Sequence, residues 1–125
     1  MKFKQIEASE SQECDAFCDI MRLYPKLWEA LISIPNQSLC YTNPGVRKKL
    51  SQQGVKKGIP DYFLATPCQG FAGLWLEMKK KSEKGKDLRP EQEEWKYKLN
   101  SWGYKSVVVY GAEEAFRAVA EYIML

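Results

Sequence analysis

The chain has 125 residues, 45% hydrophobic and 28% charged, the balance of one globular domain spanning residues 1–125 and not of a disordered tail. No stretch approaches the ~20 apolar residues of a membrane helix, and the opening Met1-Lys2-Phe3-Lys4-Gln5 lacks the apolar run of a secretory signal, so the expectation is a cytosolic protein with no membrane contact. Histidine is absent; this excludes the triads that use imidazole as a base and leaves acid–base or metal chemistry to carboxylates, lysine, tyrosine and hydroxyls, a donor set suited to Mg2+ or Mn2+.

Ser9 followed by Phe17, Ile20, Met21 and Tyr24 at helical spacing predicts an N-terminal helix that Pro25 stops, with its acids in the first turns, where the helix dipole favours them. Leu27–Ile34 reads ambiguously, with a short strand around Leu31–Ile34 before the Pro35-Asn36 turn. The basic stretch Asn43–Lys57, with Gly45 and Gly54, reads as a loop or as a short helix and loop. Tyr62–Thr66 and Phe71–Lys79 are strand-like runs joined by Pro67-Cys68-Gln69-Gly70, a hairpin signal with a four-residue turn. Lys80–Arg89 reads as a loop, and Pro90 stands where a first helical residue belongs. Trp95, Leu99 and Trp102 then mark a helix that ends at Gly103. Val107–Tyr110 reads as a buried strand, and Gly111 opens a last helix with Phe116, Val119 and Ile123 on one face.

The cysteines Cys14, Cys18, Cys40 and Cys68 lack paired C-x-x-C spacing and read as reduced, partly buried thiols and not as a zinc site. Net charge is only +3 but unevenly spread: from Asn43 to Ile59 there are five basic residues and no acid, and from Lys79 to Arg89 six basic residues face two acids. Lysine-rich runs are most often solvated faces, so this spread alone is weak evidence for a polyanionic partner.

Chemistry concentrates elsewhere. In Glu77-Met78-Lys79, at the end of a predicted strand, residues i and i+2 share a face, so Glu77 and Lys79 point together. Asp61 starts the partner strand of the hairpin, which brings its carboxylate toward Glu77. Two such carboxylates repel unless a cation lies between them. Two acids, a lysine and a hard metal ion suffice for phosphodiester hydrolysis, although an arbitrary E-x-K triplet is usually a surface ion pair.

The Gly58-Ile59-Pro60-Asp61 turn, the Glu77-Met78-Lys79 strand end and the Arg89-Pro90-Glu91-Gln92 helix start together resemble the virus-type replication-repair nuclease (VRR-NUC) domain, a branch of the PD-(D/E)xK nuclease superfamily. The resemblance runs from Ile34-Pro35-Asn36 through Gly54 to Gly103-Tyr104. It implies an α/β fold with a restriction-endonuclease-like core, a mixed sheet flanked by helices. It also implies a metal held by Asp61, Glu77 and the Met78 backbone carbonyl, with Lys79 at the attacking water. The family's first-helix glutamate is matched by Glu10, with Glu13 as the alternative, and Gln92 matches a glutamine that reaches the scissile phosphate or its water. Arg89 departs from the pattern, standing where the family commonly has a capping serine, so that helix start should be less well capped and the arginine is a candidate phosphate contact.

On this resemblance the expected function is that of a Mg2+- or Mn2+-dependent DNA endonuclease, structure-specific for branched DNA such as four-way junctions. It would act in viral or phage replication and repair, as a homodimer in the cytosol of a bacterium or phage-infected host. Candidate DNA contacts are Asn36, Arg47, Lys48, Lys49, Lys56, Lys57, Lys80 and Arg89, with Asn43 beside them. The alternatives are flap, single-strand or restriction-type cutting by the same chemistry, or a catalytically silent DNA-binding module.

Overall fold

The computed structural model describes residues 6–35 and 43–125; Met1 to Gln5, Asn36 and Cys40 lie outside the described residues. Helix α1 (Glu10–Arg22) begins at Ser9, whose hydroxyl accepts the Gln12 N–H at 3.1 Å while the Gln12 side chain accepts the Ser9 N–H at 2.8 Å. This reciprocal cap satisfies two otherwise orphaned donors. Pro25 ends α1 and also opens a short α2 (Pro25–Ala30), because a proline that cannot continue one helix is well suited to start the next. The ambiguous Leu27–Ile34 stretch therefore divides into the end of α2 and strand β1 (Leu31–Ser33). The basic stretch contains helix α3 (Pro44–Gln52), and Asn43 Oδ1 caps it by accepting the N–H groups of Gly45 and Val46 at 2.9 and 3.4 Å. None of the α3 residues is buried.

Strands β2 (Tyr62–Leu64) and β3 (Leu74–Lys79) pair antiparallel, with Tyr62 opposite Leu76. The tight turn read from Pro67-Cys68-Gln69-Gly70 is present, and Cys68 and Phe71 exchange backbone hydrogen bonds of 3.1 and 2.9 Å across it. The expected continuous hairpin is not. Pro67 has no donor for the ladder, and the Ala72 N–H turns away to the Gly103 carbonyl at 2.9 Å. After a single 3-10 turn (Lys81–Glu83) inside the expected loop, α4 (Pro90–Ser101) crosses to β4 (Lys105–Tyr110), which runs parallel to β3. The last helix, α5, covers Ala112–Ile123. The sheet has the order β1-β2-β3-β4 and is mixed, flanked by helices, as the sequence led us to expect. Because β4 is its edge, that strand is less covered than its Val-Val-Val run suggests: only Ser106 and Val109 are buried.

Alternation along β3 separates the two faces. Leu74, Leu76 and Met78 enter the core with Leu64, Val109, Phe17 and Met21 of α1, and Ala115, Val119 and Tyr122 of α5. Each fully buried large apolar side chain contributes about 2 kcal/mol, so this face carries most of the stability. Trp75, Glu77 and Lys79 project from the other face, where Trp75 stacks on Phe63 with ring centroids 4.6 Å apart. No helix among the described residues is long and apolar enough to cross a membrane. Cys14, Cys18 and Cys68 are half-buried free thiols.

Glu13 is buried and serves the core face. Its carboxylate accepts the Ala112 N–H at the first turn of α5, where the helix dipole favours an anion. Gly111 (φ 94°) makes room for it, since a Cβ there would lie 2.8 Å from Glu13 Oε2. A hydrogen bond to a buried charge of this kind is worth about 2 kcal/mol. Glu13→Ala should therefore lower unfolding free energy by about that amount in urea titrations, and a midpoint equal to that of the parent chain would contradict the role.

Candidate active site

The site starts from a missing donor. The Asp61 carbonyl accepts from Ile34 N at 2.7 Å and Ala65 N donates to Ala30 at 2.9 Å, so odd residues of β2 bond toward β1 and even ones toward β3. In β3 the odd residues bond toward β4, as Gly111 N to the Lys79 carbonyl at 2.9 Å illustrates. Met78 therefore turns its amide and carbonyl toward β2. Extending the register from Tyr62–Leu76 sets Pro60 opposite Met78, and proline has no N–H with which to close the ladder on that carbonyl. Asp61 replaces half of the lost pairing by accepting the Met78 N–H at 2.7 Å through Oδ2. The Pro60-Asp61 step thus brings a carboxylate and a backbone carbonyl to one gap in the sheet.

Glu77, on the adjoining β3 position, is 6% exposed. Its Oε1 accepts from Gln92 Nε2 at 3.0 Å and lies 3.6 Å from Lys79 Nζ. Gln92, buried at the start of α4, turns its carbonyl oxygen to Lys79 Nζ at 3.2 Å and to the Arg89 N–H at 3.3 Å. One amide thus fixes the carboxylate, the ammonium and the helix start. Arg89 has no oxygen to cap α4 and its side chain makes no cap hydrogen bond; the Gln92 side chain supplies that half of the cap instead. Gly58 (φ 83°) lets the preceding loop approach α4, since a Cβ there would lie 2.9 Å from the Glu91 backbone.

Burial pushes the Asp61 carboxyl up to about 6, against the lowering effect of the Met78 N–H. Burial and then the neighbouring Asp61 charge push Glu77 up to about 8, with Lys79 offsetting only part of the rise. Glu10 adds to the repulsion on both acids. A buried and a half-buried carboxyl that repel each other, with one ammonium beside them, are short of positive charge. The oxygen donors Asp61, Glu77 and the Met78 carbonyl fit a hard divalent ion such as Mg2+ or Mn2+.

The remaining candidates divide. Glu10 lines a cavity of about 290 Å3 together with Lys79, Arg89 and Gln92, whereas Glu13, the alternative, is engaged at α5. Glu10 does not complete a three-acid cage: among the described residues no three Asp, Glu or Cys side chains form a metal-holding cluster. Arg47, Lys48 and Lys49 lie exposed on α3 and do not line the cavity. Lys56 is exposed, Lys57 pairs with Glu91 at 3.7 Å, and Lys80 is outside the cavity wall. Among the described residues, the candidate DNA contacts are therefore not gathered at this cavity, except for Arg89. Lys86 and Tyr110 line the cavity instead. Lys86 belongs to a basic run visible in the sequence, but Tyr110 emerges only from the β3–β4 register, which pairs it with Lys79.

A mixed four-stranded sheet with α1 and α5 on one face, and Asp61, Glu77, Lys79 and Gln92 on the other, defines an α/β fold. Among solved structures, a VRR_NUC domain protein superposes on it with a TM-score of 0.76 and 22% sequence identity, covering 95% of this chain and 91% of that one. The chain has the fold of that protein. No family model and no curated protein matches the sequence.

The raised carboxyl values have a measurable consequence. An acid that holds its proton in the folded chain and releases it on unfolding makes the fold less stable as pH climbs from its ordinary value through the raised one. For Glu77 that window runs from 4.5 to about 8. Without divalent ions, the melting temperature should fall across this range, and Glu77→Gln should flatten the fall. A flat profile in the parent chain would contradict the buried, repelling pair.

Proposed function

We propose that the chain is a metal-dependent nuclease that hydrolyses phosphodiester bonds in DNA. The observation that carries the reading is the junction of Glu77, Lys79 and Gln92 through contacts of 3.0 to 3.6 Å, beside an Asp61 carboxylate held on the Met78 N–H at 2.7 Å. A Mg2+ or Mn2+ ion bound by Asp61, Glu77 and the Met78 carbonyl would polarise the phosphoryl oxygen and activate a water. The chain's own side chains do the rest. Gln92 holds the Lys79 ammonium in place, from where it orients the nucleophile and stabilises charge developing on the phosphate. Glu10 sits on the same wall as Lys79 and Gln92, outside the donor set formed by Asp61, Glu77 and the Met78 carbonyl. A silent DNA-binding module gains nothing from burying acids where a phosphate must approach, which sets that alternative aside.

Within this reading, branched DNA is the substrate that calls for an assembly. Resolving a four-way junction takes two opposed cuts, whereas one chain supplies one acid pair, so a twofold dimer is the simplest arrangement. Leu23 (76% exposed), Tyr24 and Trp28 present apolar surface around the α1–α2 corner, in the region where an interface is expected.

Asp61→Ala and Glu77→Ala should abolish cleavage while the fold persists, and Lys79→Ala should slow the chemical step roughly 100-fold. Cleavage should require Mg2+ or Mn2+ and stop in EDTA, while Ca2+ should support binding with poor turnover. Full activity in all three variants, or cutting that survives chelation, would remove the assignment. A Leu23→Glu/Trp28→Glu double variant should sediment as a monomer and lose paired junction cuts while still nicking. If the parent chain sediments as a monomer and cuts junctions and plain duplex equally, the resolving role falls and the nuclease chemistry does not.

A further inference from the structure

The cavity beside Lys79 and Gln92 does not end at Tyr110. A second cavity, of about 430 Å3, begins where the first stops, and the two share Lys86, Asp87, Leu88 and Tyr110 as walls. The second continues along β4 past Val108 to Lys96 of α4. Side by side they mark a groove that starts at Lys79 and Gln92, runs along residues 86–88 and Tyr110, and reaches Lys96 and the edge strand β4. Tyr110 stands at its middle, on the same sheet face as Lys79, with which it is in register.

We infer that this groove receives an unpaired strand of DNA, with Lys86 and Arg89 on its phosphates and Tyr110 under one of its bases. The inference rests on the nuclease chemistry proposed above and, for its substrate, favours branched DNA that carries an unpaired strand over a fully paired junction. Cavities of this size admit a nucleotide unit at a time and not a duplex. An aromatic ring set among cations is one part of the arrangement that holds single strands without reading their sequence. The groove's charge is nearly balanced, since Glu10, Glu83, Asp87 and Glu93 also line it and Glu83 lies 3.9 Å from Lys86. Stacking and placed contacts, not bulk attraction, must therefore supply the affinity, which suits a threaded strand better than a duplex lying on a basic patch. Lys84 Nζ lies 6.0 Å from the Tyr110 ring centroid, a contact at the limit of cation–π range that a stacked base can replace.

The test is fluorescence anisotropy with a labelled single-stranded oligonucleotide and with the matching duplex, both in Ca2+. Tyr110→Ala should weaken single-strand binding about tenfold, as expected for loss of one stacked base, and leave duplex binding unchanged. Tyr110→Phe should restore binding to within about twofold, since the ring and not the hydroxyl carries the contact. Lys86→Glu, on an exposed side chain, carries the same test should Tyr110→Ala melt early, and it too should weaken the single strand selectively. Single-strand affinity unchanged in Tyr110→Ala and Lys86→Glu, or an equal loss for both oligonucleotides, would overturn the assignment. Because binding is read without turnover, the two readings separate. A chain that cuts no DNA but keeps a Tyr110-dependent preference loses only the nuclease reading, whereas one that cuts DNA with no such preference loses only the groove.

Discussion

At Pro60 the β2–β3 ladder runs out of donors, and the site depends on how that gap is filled. The Asp61 carboxylate takes the Met78 N–H at 2.7 Å, so a side chain is held rigidly against the backbone of the strand that carries Glu77 and Lys79. Proline and aspartate are thus needed as a pair: the first removes the N–H, the second occupies the space left and brings the charge. Leaving buried charges underpaired costs several kcal/mol, a cost the opposite face can bear because Leu74, Leu76 and Met78 lie there among the apolar side chains of α1 and α5.

Period two on β3 sorts side chains between stability and chemistry, and α1 does the same at period 3.6. Glu10 and Glu13 lie three residues apart on that helix, close enough to look interchangeable in sequence, yet one reaches the cavity and the other the first turn of α5. Their roles follow from which neighbour each meets. Asn100 adds a similar division at the sheet edge. Its side chain accepts the Ser106 N–H at 3.0 Å and approaches the Ser106 carbonyl at 3.4 Å, closing part of the exposed edge to another strand while the stretch toward Tyr110 stays beside the groove.

Much of this was legible in the chain. Proline before an acid, an E-x-K triplet on a strand and a glutamine one turn into a proline-started helix are local signals, and the structure brings Asp61, Glu77, Lys79 and Gln92 together. The order of helices and strands followed from periodicity and turn residues, and the mixed sheet from the resemblance. The hairpin forms but its ladder is interrupted near the turn, where the Ala72 N–H pairs with the Gly103 carbonyl, a long-range choice that propensity does not encode. The α2–β1 split was hidden because six helical residues and three strand residues give too short a period to read. The basic residues of α3 stand apart from the cavity, and charge density marks a solvated surface as readily as a binding one; none of that helix is buried. Tyr110 was out of reach, since only a parallel register across a crossover helix sets it beside Lys79.

The central claim is that the Asp61–Glu77 pair is a seat for a divalent cation, and a calorimetric titration of Mn2+ into the chain at neutral pH, repeated in buffers of different protonation enthalpy, tests it most directly. One ion per chain should bind with release of a proton, because burial and the Asp61 charge raise the Glu77 carboxyl well above the usual carboxylate range. Binding should be lost in Asp61→Asn, and proton release in Glu77→Gln. Binding of equal strength in the parent chain and both variants, or binding with no proton released, would contradict it.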